Sequence, residues 1–204
     1  MLYGEEILQK ESGFYFNIYE PQDYNIILGR SRTLSEDVFE EKCMEDNVKV
    51  WKRISGGGTV LLAPGMFVWD MIIPTKFQIL NQNKWFKLFS QWVISILELY
   101  GIKKIEVKGV SDLTIDNRKI SGTSLFIGKN KVLYHGTLLL DIDTKLFDKY
   151  LKYPDVIPEY RKGRAHSEFV TTLSEQNITI DREKIKNLFL SFQLPSEDDL
   201  AELK

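Results

Sequence analysis

The chain has 204 residues, of which 43% are hydrophobic, and its formal net charge is −2 at pH 7. This length and apolar content predict one domain with a sizeable core, and the near-neutral charge argues against a nucleic-acid partner. One cysteine excludes an internal disulfide, and two histidines cannot build a zinc site without carboxylates. The start has no signal-peptide pattern and no apolar run approaches the ~20 residues that span a bilayer, so we expect a cytoplasmic protein without membrane contact.

The first part of the chain combines short strands with short helices. A helix is expected at residues 4–10, and a second helix at 35–44, with Ser35 as its N-cap. Alternating or apolar segments predict strands at residues 14–19, 24–28, 48–54, 59–62 and 67–73.

The second part begins with the longest predicted helix, residues 83–100, whose broad apolar face indicates a core-facing helix rather than a cofactor site. Short strands follow, then helices at 144–151 and 181–192. Because hairpin-linked strands outnumber helices, we predict an α+β fold with mostly antiparallel sheets flanked by helices on one face. Residues 1–204 are expected to form a single domain, with 181–204 as a C-terminal helix and acidic tail. The predicted strands are 102–107, 113–115, 119–121, 126–127, 132–135 and 138–140.

Three successive glycines, Gly56 to Gly58, lie between two apolar strands. Glycine loses more backbone entropy on folding than any other residue, so such a run needs a reason. One reason is a ligand whose phosphate or carboxylate oxygens approach bare backbone, with Arg53 as an anion contact. A bent strand with a surface arginine is an equally good interpretation from spacing alone. The run is not a P-loop, because no Gly-Lys-Ser/Thr follows.

The second informative segment contains Lys119. Alternation along an extended strand predicts Lys119, Ser121 and Thr123 on one side and Ile120 on the other. A lysine flanked by hydroxyls suits a pocket in which it stabilises charge during acyl transfer, and Gly122 would admit a ligand. Spacing alone favours a solvated hairpin lysine, because lysine is usually exposed.

Taken in order, these segments resemble the lipoate–protein ligase family. Residues 53–60 resemble its Arg-x-x-Gly-Gly-Gly-x-Val segment, and residues 111–123 its Asn/Ser-Asp…Lys-x-Ser-Gly segment. Residues 135–139 resemble its His-Gly-Thr-Leu-Leu strand, and residues 28–30 and 45–48 give supporting matches. The resemblance covers about residues 1–175, and it implies the biotin/lipoate-ligase catalytic fold.

The resemblance also implies site residues. Lys119 is similar to the family's catalytic lysine, which contacts the acyl carbonyl and the acyl-adenylate phosphate. Thr59 and Val60 would lie near the adenosine, and Asp112 near the nucleotide or its magnesium. The implied acyl- and adenylate-binding residues are Arg53, Ser55, Gly56, Gly57, Gly58, Thr59, Val60, Asp112, Ser121, Gly122, Thr123, His135, Gly136 and Thr137.

The activity that the resemblance implies uses ATP and Mg²⁺ to attach a lipoyl or octanoyl group to a lysine of a lipoyl-domain acceptor protein. One alternative is an ATP-independent transferase that moves these acyl groups between carrier proteins. The other is a non-catalytic module that binds lipoylated proteins.

Two departures from the family pattern bear on this choice. Many members carry His-Asp soon after the glycines and Asn three residues later, where this chain has Leu62, Ala63 and Met66. After about residue 180 only a helix and an acidic tail are predicted. We therefore expect a short form without the C-terminal accessory domain, which needs a separate accessory chain or performs only the transfer step.

Two further residues, Cys43 and His166, have side chains that could take part in catalysis. Some octanoyl transferases of this fold use a cysteine thioester. Cys43 lies in a predicted helix away from the lysine segment, so an inert helix cysteine is expected. His166 follows the basic residues 161–164 and is expected on a surface loop, which is either ordinarily solvated or faces an acidic acceptor.

Overall fold

The computed structural model describes residues 4–10, 13–74 and 82–192, and its strands form two sheets. In chain order the strands of these residues are β1 (Tyr15–Tyr19), β2 (Asn25–Leu28), β3 (Lys49–Lys52), β4 (Val60–Leu62), β5 (Met66–Pro74), β6 (Glu106–Lys108), β7 (Asp112–Ile115), β8 (Arg118–Ile127) and β9 (Lys131–Leu139).

The larger sheet has the strand order β1-β5-β9-β8-β7-β6, and all its neighbouring strands are antiparallel. The smaller sheet has the order β3-β2-β4, in which β2 and β3 are parallel and β2 and β4 antiparallel. The predicted α+β class with mostly antiparallel sheets is therefore confirmed.

The helices of the described residues differ greatly in length. One 3-10 helix covers Glu159–Arg161, and no helix in these ranges is long and apolar enough to cross a bilayer. The α-helices are α1 (Glu5–Lys10), α2 (Leu34–Asp37), α3 (Glu40–Glu45), α4 (Gln82–Tyr100), α5 (Lys145–Tyr150), α6 (His166–Phe169) and α7 (Arg182–Ser191).

The first core lies between the larger sheet and the helices α4 and α7. The apolar stripe of α4 faces the sheet, where Phe89 stacks on Tyr134 with ring centroids 4.4 Å apart. On α7, Phe189 approaches Trp69 with ring centroids 5.5 Å apart. Each fully buried aromatic or aliphatic side chain contributes about 1.5–3 kcal/mol, so this core anchors the sheet.

The second core covers the opposite face of the larger sheet. There Val68 and Leu139 pack with Ile26 and Leu61 of the smaller sheet and with Phe147 of α5. The larger sheet is thus covered on both faces, whereas the sequence predicted helices on one face only. The site described below lies on the face that carries the smaller sheet.

Three predicted elements have different bounds in the structure. The predicted helix 35–44 is split into α2 and α3, with Thr33 rather than Ser35 at the N-cap position. Between them Val38 is fully buried and forms a β-bridge with Leu151, which requires extended backbone. The predicted strand 102–107 is shortened to β6, because Lys104 has a φ of 61° and interrupts it. The acidic tail lies outside the described residues.

Two pairs of short predicted strands are each one long strand. Residues 119–121 and 126–127 belong to β8, and residues 132–135 and 138–140 belong mainly to β9. The intervening small residues looked like breaks in the sequence, but Gly122 pairs with Thr137 and Thr123 with Gly136. The two strands therefore cross the middle of the sheet without interruption and carry most of the candidate site.

Candidate active site

A row of four polar residues crosses the larger sheet. The register pairs Asn17 with Asp70, Asp70 with His135, and His135 with Ser124. Directly paired residues share a face of the sheet, so all four side chains lie on one face. Asp70 and His135 are buried, with Nδ1 of His135 3.5 Å from Oδ1 of Asp70. A buried ionisable pair in an apolar sheet costs free energy, and such pairs mark candidate functional sites.

The glycine segment that follows β3 lies over this row. Oγ of Ser55 is 2.5 Å from Nε2 of His135, and the hydroxyl of Ser124 donates to the carbonyl oxygen of Gly56 at 2.8 Å. These contacts fix the loop of residues 55–58 to β8 and β9. The structure therefore brings the glycine segment and the His-Gly-Thr segment, 80 residues apart, to one place.

The guanidinium of Arg53 organises this loop from the inside. It donates to the carbonyl oxygens of Ile27 (3.2 Å), Gly56 (2.6 Å) and Gly58 (2.7 Å), and to Oγ of Ser55 (3.0 Å). Burial lowers the pKa of Arg53 to about 10, so the group stays charged at neutral pH. The sequence suggested an anion contact for Arg53, whereas these donors are directed at loop carbonyls. In this structure Arg53 sets the loop's shape.

The outer side of the glycine loop is open. A β-carbon built on Gly56 or Gly58 would meet no heavy atom of the described residues within 4 Å. Gly57 has a φ of +88°, a conformation that favours glycine. The loop therefore offers bare, side-chain-free backbone of the kind that phosphate or carboxylate oxygens can approach.

Lys119 reaches this face because β8 contains a β-bulge. Leu113 pairs with Ser121 and Thr114 with Lys119, so Ile120 is an extra residue in β8. Ser121 then shares the side of Leu113, which belongs to the first core, and Lys119 shares the opposite side. The prediction that Lys119 and Ser121 lie on one side with Ile120 opposite is wrong, because strict alternation does not survive the bulge.

Thr123 and Gly136 also lie on the core side of the sheet. They pair with each other, and a β-carbon at Gly136 would lie 2.8 Å from Cγ2 of Thr123 and 2.4 Å from Cζ2 of Trp69. Ser121 on the same side is fully buried, and its hydroxyl has no hydrogen-bond partner in the described part of the chain. The structure thus separates Ser121, Thr123 and Gly136 from the Lys119 face.

An ion pair holds the Lys119 ammonium. Nζ lies 2.6 Å from Oδ1 of Asp112, and Oδ2 of Asp112 accepts a hydrogen bond of 2.8 Å from the hydroxyl of Tyr160. A β-carbon at Gly122 would lie 2.6 Å from Nζ, so the lysine side chain lies across Gly122. A side chain at Gly122 would therefore displace the Lys119 ammonium from this position. Sequence reasoning missed Tyr160, whose segment carries no periodic signal.

Lys119 and the glycine loop are neighbours. Gly122 lies under the lysine, and Ser124, two residues further along the same face, bonds to Gly56. Thr137 pairs with Gly122 and shares that face. The arrangement places a cation beside an open stretch of glycine backbone. Such a site can stabilise negative charge on oxygen atoms of a bound group.

Thr59 and Val60 follow the glycine loop, and their side chains contact residues away from Lys119. The hydroxyl of Thr59 donates to Asp37, which also accepts from Arg32, and Val60 packs against the second core. Burial alone would raise the pKa of Asp37, but the hydrogen bonds from Arg32 and Thr59 outweigh it, so the pKa lies below its usual range. This cluster borders the glycine loop.

The sequence matches one protein-family model over nearly its whole length. The model described as "Lipoyl protein ligase A/B catalytic domain" matches residues 3–192. The chain belongs to this family. This match confirms the resemblance seen in the sequence.

A known protein that is similar to this chain supports its assignment to the family. A Mycoplasma genitalium protein named "Probable lipoate-protein ligase A" is 31% identical over 135 residues, which are 66% of this chain and 39% of that protein. The chain therefore spans well under half of that relative's length.

Two solved structures share the fold. A bi-partite lipoate protein ligase from Thermoplasma acidophilum has a TM-score of 0.78 and 18% identity, covering 98% of this chain and 76% of that chain. A lipoate-protein ligase A bound with ATP has a TM-score of 0.76 and 18% identity, covering 98% and 78%.

The three residues that differ from the family pattern lie in the second core. Leu62, Ala63 and Met66 are at most 5% exposed and pack with other apolar side chains there. Polar residues at these positions would need buried hydrogen-bond partners. The departures are therefore consistent with local packing in this chain.

The structure also places the remaining candidates, which are Cys43, His166 and the basic residues 161–164. Cys43 is buried on α3, and burial raises the pKa of its thiol, as expected for an inert cysteine. His166 begins α6 rather than lying on a loop, its Nε2 is 3.0 Å from the carbonyl oxygen of Lys152, and burial lowers its pKa. Arg161 is also buried, so residues 161–164 are not simply a solvated basic loop.

Proposed function

We propose that this domain activates lipoate, or octanoate, with ATP and transfers the acyl group to a lysine of a lipoyl-domain acceptor protein. The observation that carries the proposal is the position of Lys119 across Gly122, beside the open glycine loop. The names of similar proteins agree with it. The relative from M. genitalium is named a lipoate-protein ligase, one structural neighbour is described with ATP, and another with an E2 lipoyl domain.

The reaction has two steps. A carboxylate oxygen of the fatty acid attacks the α-phosphate of ATP, which forms acyl-AMP and releases pyrophosphate. The amine of the acceptor lysine then attacks the acyl carbonyl, forms the amide and releases AMP. Both steps develop negative charge on oxygen atoms bonded to phosphorus or carbon.

The protein's contribution is positioning and electrostatic stabilisation. Lys119 would neutralise charge on the acyl carbonyl and the α-phosphate, and loop N–H groups of residues 56–58 would meet the same oxygens. Arg53, Ser55 and His135 would act indirectly, because their contacts fix the loop. Asp112 would hold the Lys119 ammonium over Gly122.

The described residues do not supply a magnesium site made of protein ligands alone. The described residues contain no group of three or more His, Cys, Asp or Glu side chains that would hold a metal. Both carboxylate oxygens of Asp112, the residue expected near magnesium, already face Lys119 and Tyr160. We therefore assign any Mg²⁺ to the phosphates of ATP.

An ATP-independent transferase is the second candidate. Loop anchoring and the Lys119 site would serve acyl transfer equally well without a nucleotide. However, a thioester route through Cys43 is disfavoured, because this single cysteine is buried on α3 with a raised thiol pKa. Transfer would have to run directly between carriers at Lys119.

The decisive experiment measures the mass of a purified lipoyl domain. The protein is incubated with lipoate and Mg-ATP, or with octanoyl carrier protein without ATP, each with and without a candidate accessory chain. A mass increase only with ATP supports the ligase, and one only from the carrier supports the transferase. An increase that needs the added chain supports a split ligase. No increase in any arm contradicts catalysis and favours a binding module.

Lys119→Met and Lys129→Met provide the matched pair for this experiment. Methionine keeps an unbranched side chain across Gly122 but removes the charge. Lys129 is an exposed lysine in the turn between β8 and β9. We expect Lys119→Met to lower acylation by at least about a hundredfold, since a preorganised cation at a transition state contributes that much or more. Lys129→Met should retain normal activity.

A further inference from the structure

Tyr160 lies outside the sheets, yet its hydroxyl bonds to the carboxylate that holds Lys119. The phenol donates to Oδ2 of Asp112 at 2.8 Å, while Oδ1 of Asp112 lies 2.6 Å from Nζ of Lys119. The Tyr160 ring packs against Phe169 with centroids 5.1 Å apart, and its edge approaches Gly109. The three side chains form a continuous chain from a packed aromatic ring to the candidate catalytic ammonium.

The segment that carries Tyr160 is tied to the strand that carries Lys119. We call residues 160–171 the strap. Arg164 donates to the carbonyl oxygen of Asn117 at 3.0 Å, and Arg118 donates to that of Val170 at 2.7 Å. The backbone N–H of Thr171 donates to the carbonyl oxygen of Lys119 at 2.8 Å. The strap therefore fixes the phenol relative to the backbone of Lys119.

The phenol remains a hydrogen-bond donor over the working pH range. Burial, followed by the adjacent negative charge of Asp112, raises the pKa of Tyr160 above its ordinary value. A carboxylate held at one oxygen only can rotate about its χ2 torsion, which is broad for Asp. The bond to Tyr160 holds the second oxygen and so fixes the direction in which Asp112 accepts from Lys119.

We propose that Tyr160 is a positioning residue for acyl activation, and that it acts by orienting Asp112, which in turn holds Lys119 over Gly122. The proposal rests on the proposed function. It assigns a role to the strap as well, because the strap sets the position of the phenol. Tyr160 itself contacts neither nucleotide nor acyl group in this scheme.

The same chain supplies a matched control. Tyr150 donates to Oδ2 of Asp46 at 2.8 Å, and Nζ of Lys149 lies 2.6 Å from the same carboxylate oxygen. This second trio has similar chemistry and the same distances, but it joins α3 to α5. Tyr150→Phe thus removes an equivalent hydroxyl from a structural contact.

The experiment compares Tyr160→Phe and Tyr150→Phe with the wild type. It measures kcat and KM for lipoate in lipoate-dependent pyrophosphate exchange, Tm, and the rate at which acetic anhydride labels Lys119. We expect Tyr160→Phe to lower kcat about tenfold, the effect of losing one hydrogen bond to a charged group, and to change KM less than about threefold. Labelling of Lys119 should become several-fold faster. Tyr150→Phe should leave kcat and Lys119 labelling unchanged.

Two results would overturn the positioning role: an unchanged kcat in Tyr160→Phe, or equal losses of kcat in both variants. The labelling measurement separates this proposal from the proposed function. If the wild type shows no exchange with lipoate or octanoate, the proposed function is contradicted. Labelling then decides whether Tyr160 holds Lys119, and equal labelling rates in wild type and Tyr160→Phe would refute it.

Discussion

A β-carbon at Gly29 would lie 2.0 Å from the carbonyl oxygen of Gly57. The turn after β2 and the glycine loop therefore touch backbone to backbone, without room for a side chain. Two hydrogen bonds join the same segments, from the N–H of Arg30 to the carbonyl oxygen of Ser55 and from the N–H of Arg53 to that of Leu28. Gly29 is thus part of the support of the candidate site.

Gly29→Ala is expected to displace the glycine loop. A methyl group at this distance from backbone forces one segment to move, and such overpacking costs about 1–3 kcal/mol in the free energy of unfolding. Urea denaturation should show that loss, and calorimetry should show weaker binding of lipoate. Gly13→Ala is the control, since its β-carbon would meet no described atom within 4 Å. Wild-type stability and affinity in Gly29→Ala would contradict the contact.

Gly56→Ala should weaken ligand binding without destabilising the protein. Its β-carbon would point into open space, and its φ is not in the left-handed region. The substitution should therefore leave the free energy of unfolding unchanged or raise it by about 0.4–1 kcal/mol, because alanine restricts the unfolded chain. Lipoate or ATP should bind at least about tenfold more weakly, since the methyl group occupies space that the ligand needs. Unchanged affinities with normal stability would show that no ligand approaches Gly56.

Local sequence patterns were sufficient to predict an element where the burial of one face determines its structure. The helix predicted at 83–100 is α4 (Gln82–Tyr100), because its apolar stripe packs on the sheet along its whole length. The glycine run and Lys119 were singled out as site candidates by their resemblance to the family motifs, whereas local spacing alone left the glycine run open and favoured a solvated Lys119.

Features that depend on a distant partner were missed. The bulge at Ile120 depends on how β8 pairs with β7, so alternation alone placed Ser121 on the wrong face. Tyr160 acquires its role only by meeting Asp112, 48 residues earlier in the chain. For Arg53 the sequence offered either an anion contact or a surface side chain, because it cannot show that carbonyls of its own loop surround the buried guanidinium.

Asp37 should make the stability of the glycine-loop region depend on pH. The pKa of Asp37 is lowered in the folded protein, so its contribution is present above the unfolded-state pKa of about 3.9 and is lost as the pH falls through the folded-state pKa. The stability difference between wild type and Asp37→Asn should therefore shrink as the pH falls below about 4. Urea denaturation between about pH 7 and about pH 3 measures it. A difference that stays constant with pH would exclude Asp37 as the titrating group.

Restoring the polar residues that many family members carry should harm this chain. Leu62 is 5% exposed and Ala63 is fully buried, and both pack in the second core. The double variant Leu62→His, Ala63→Asp would bury two polar groups without partners, at a cost of about 1–3 kcal/mol each or more for a charged group. We expect a large loss in the free energy of unfolding and no gain in ATP-dependent acylation.

Urea denaturation and the lipoyl-domain mass assay test this expectation together. Leu190→Lys serves as the control, because Leu190 is 54% exposed in the last turn of α7, where a lysine suits the helix and should change stability by less than about 0.5 kcal/mol. Normal stability combined with higher ATP-dependent acylation in the double variant would show that positions 62 and 63 face the nucleotide. A destabilised and no more active variant would instead show that this chain uses these positions for packing.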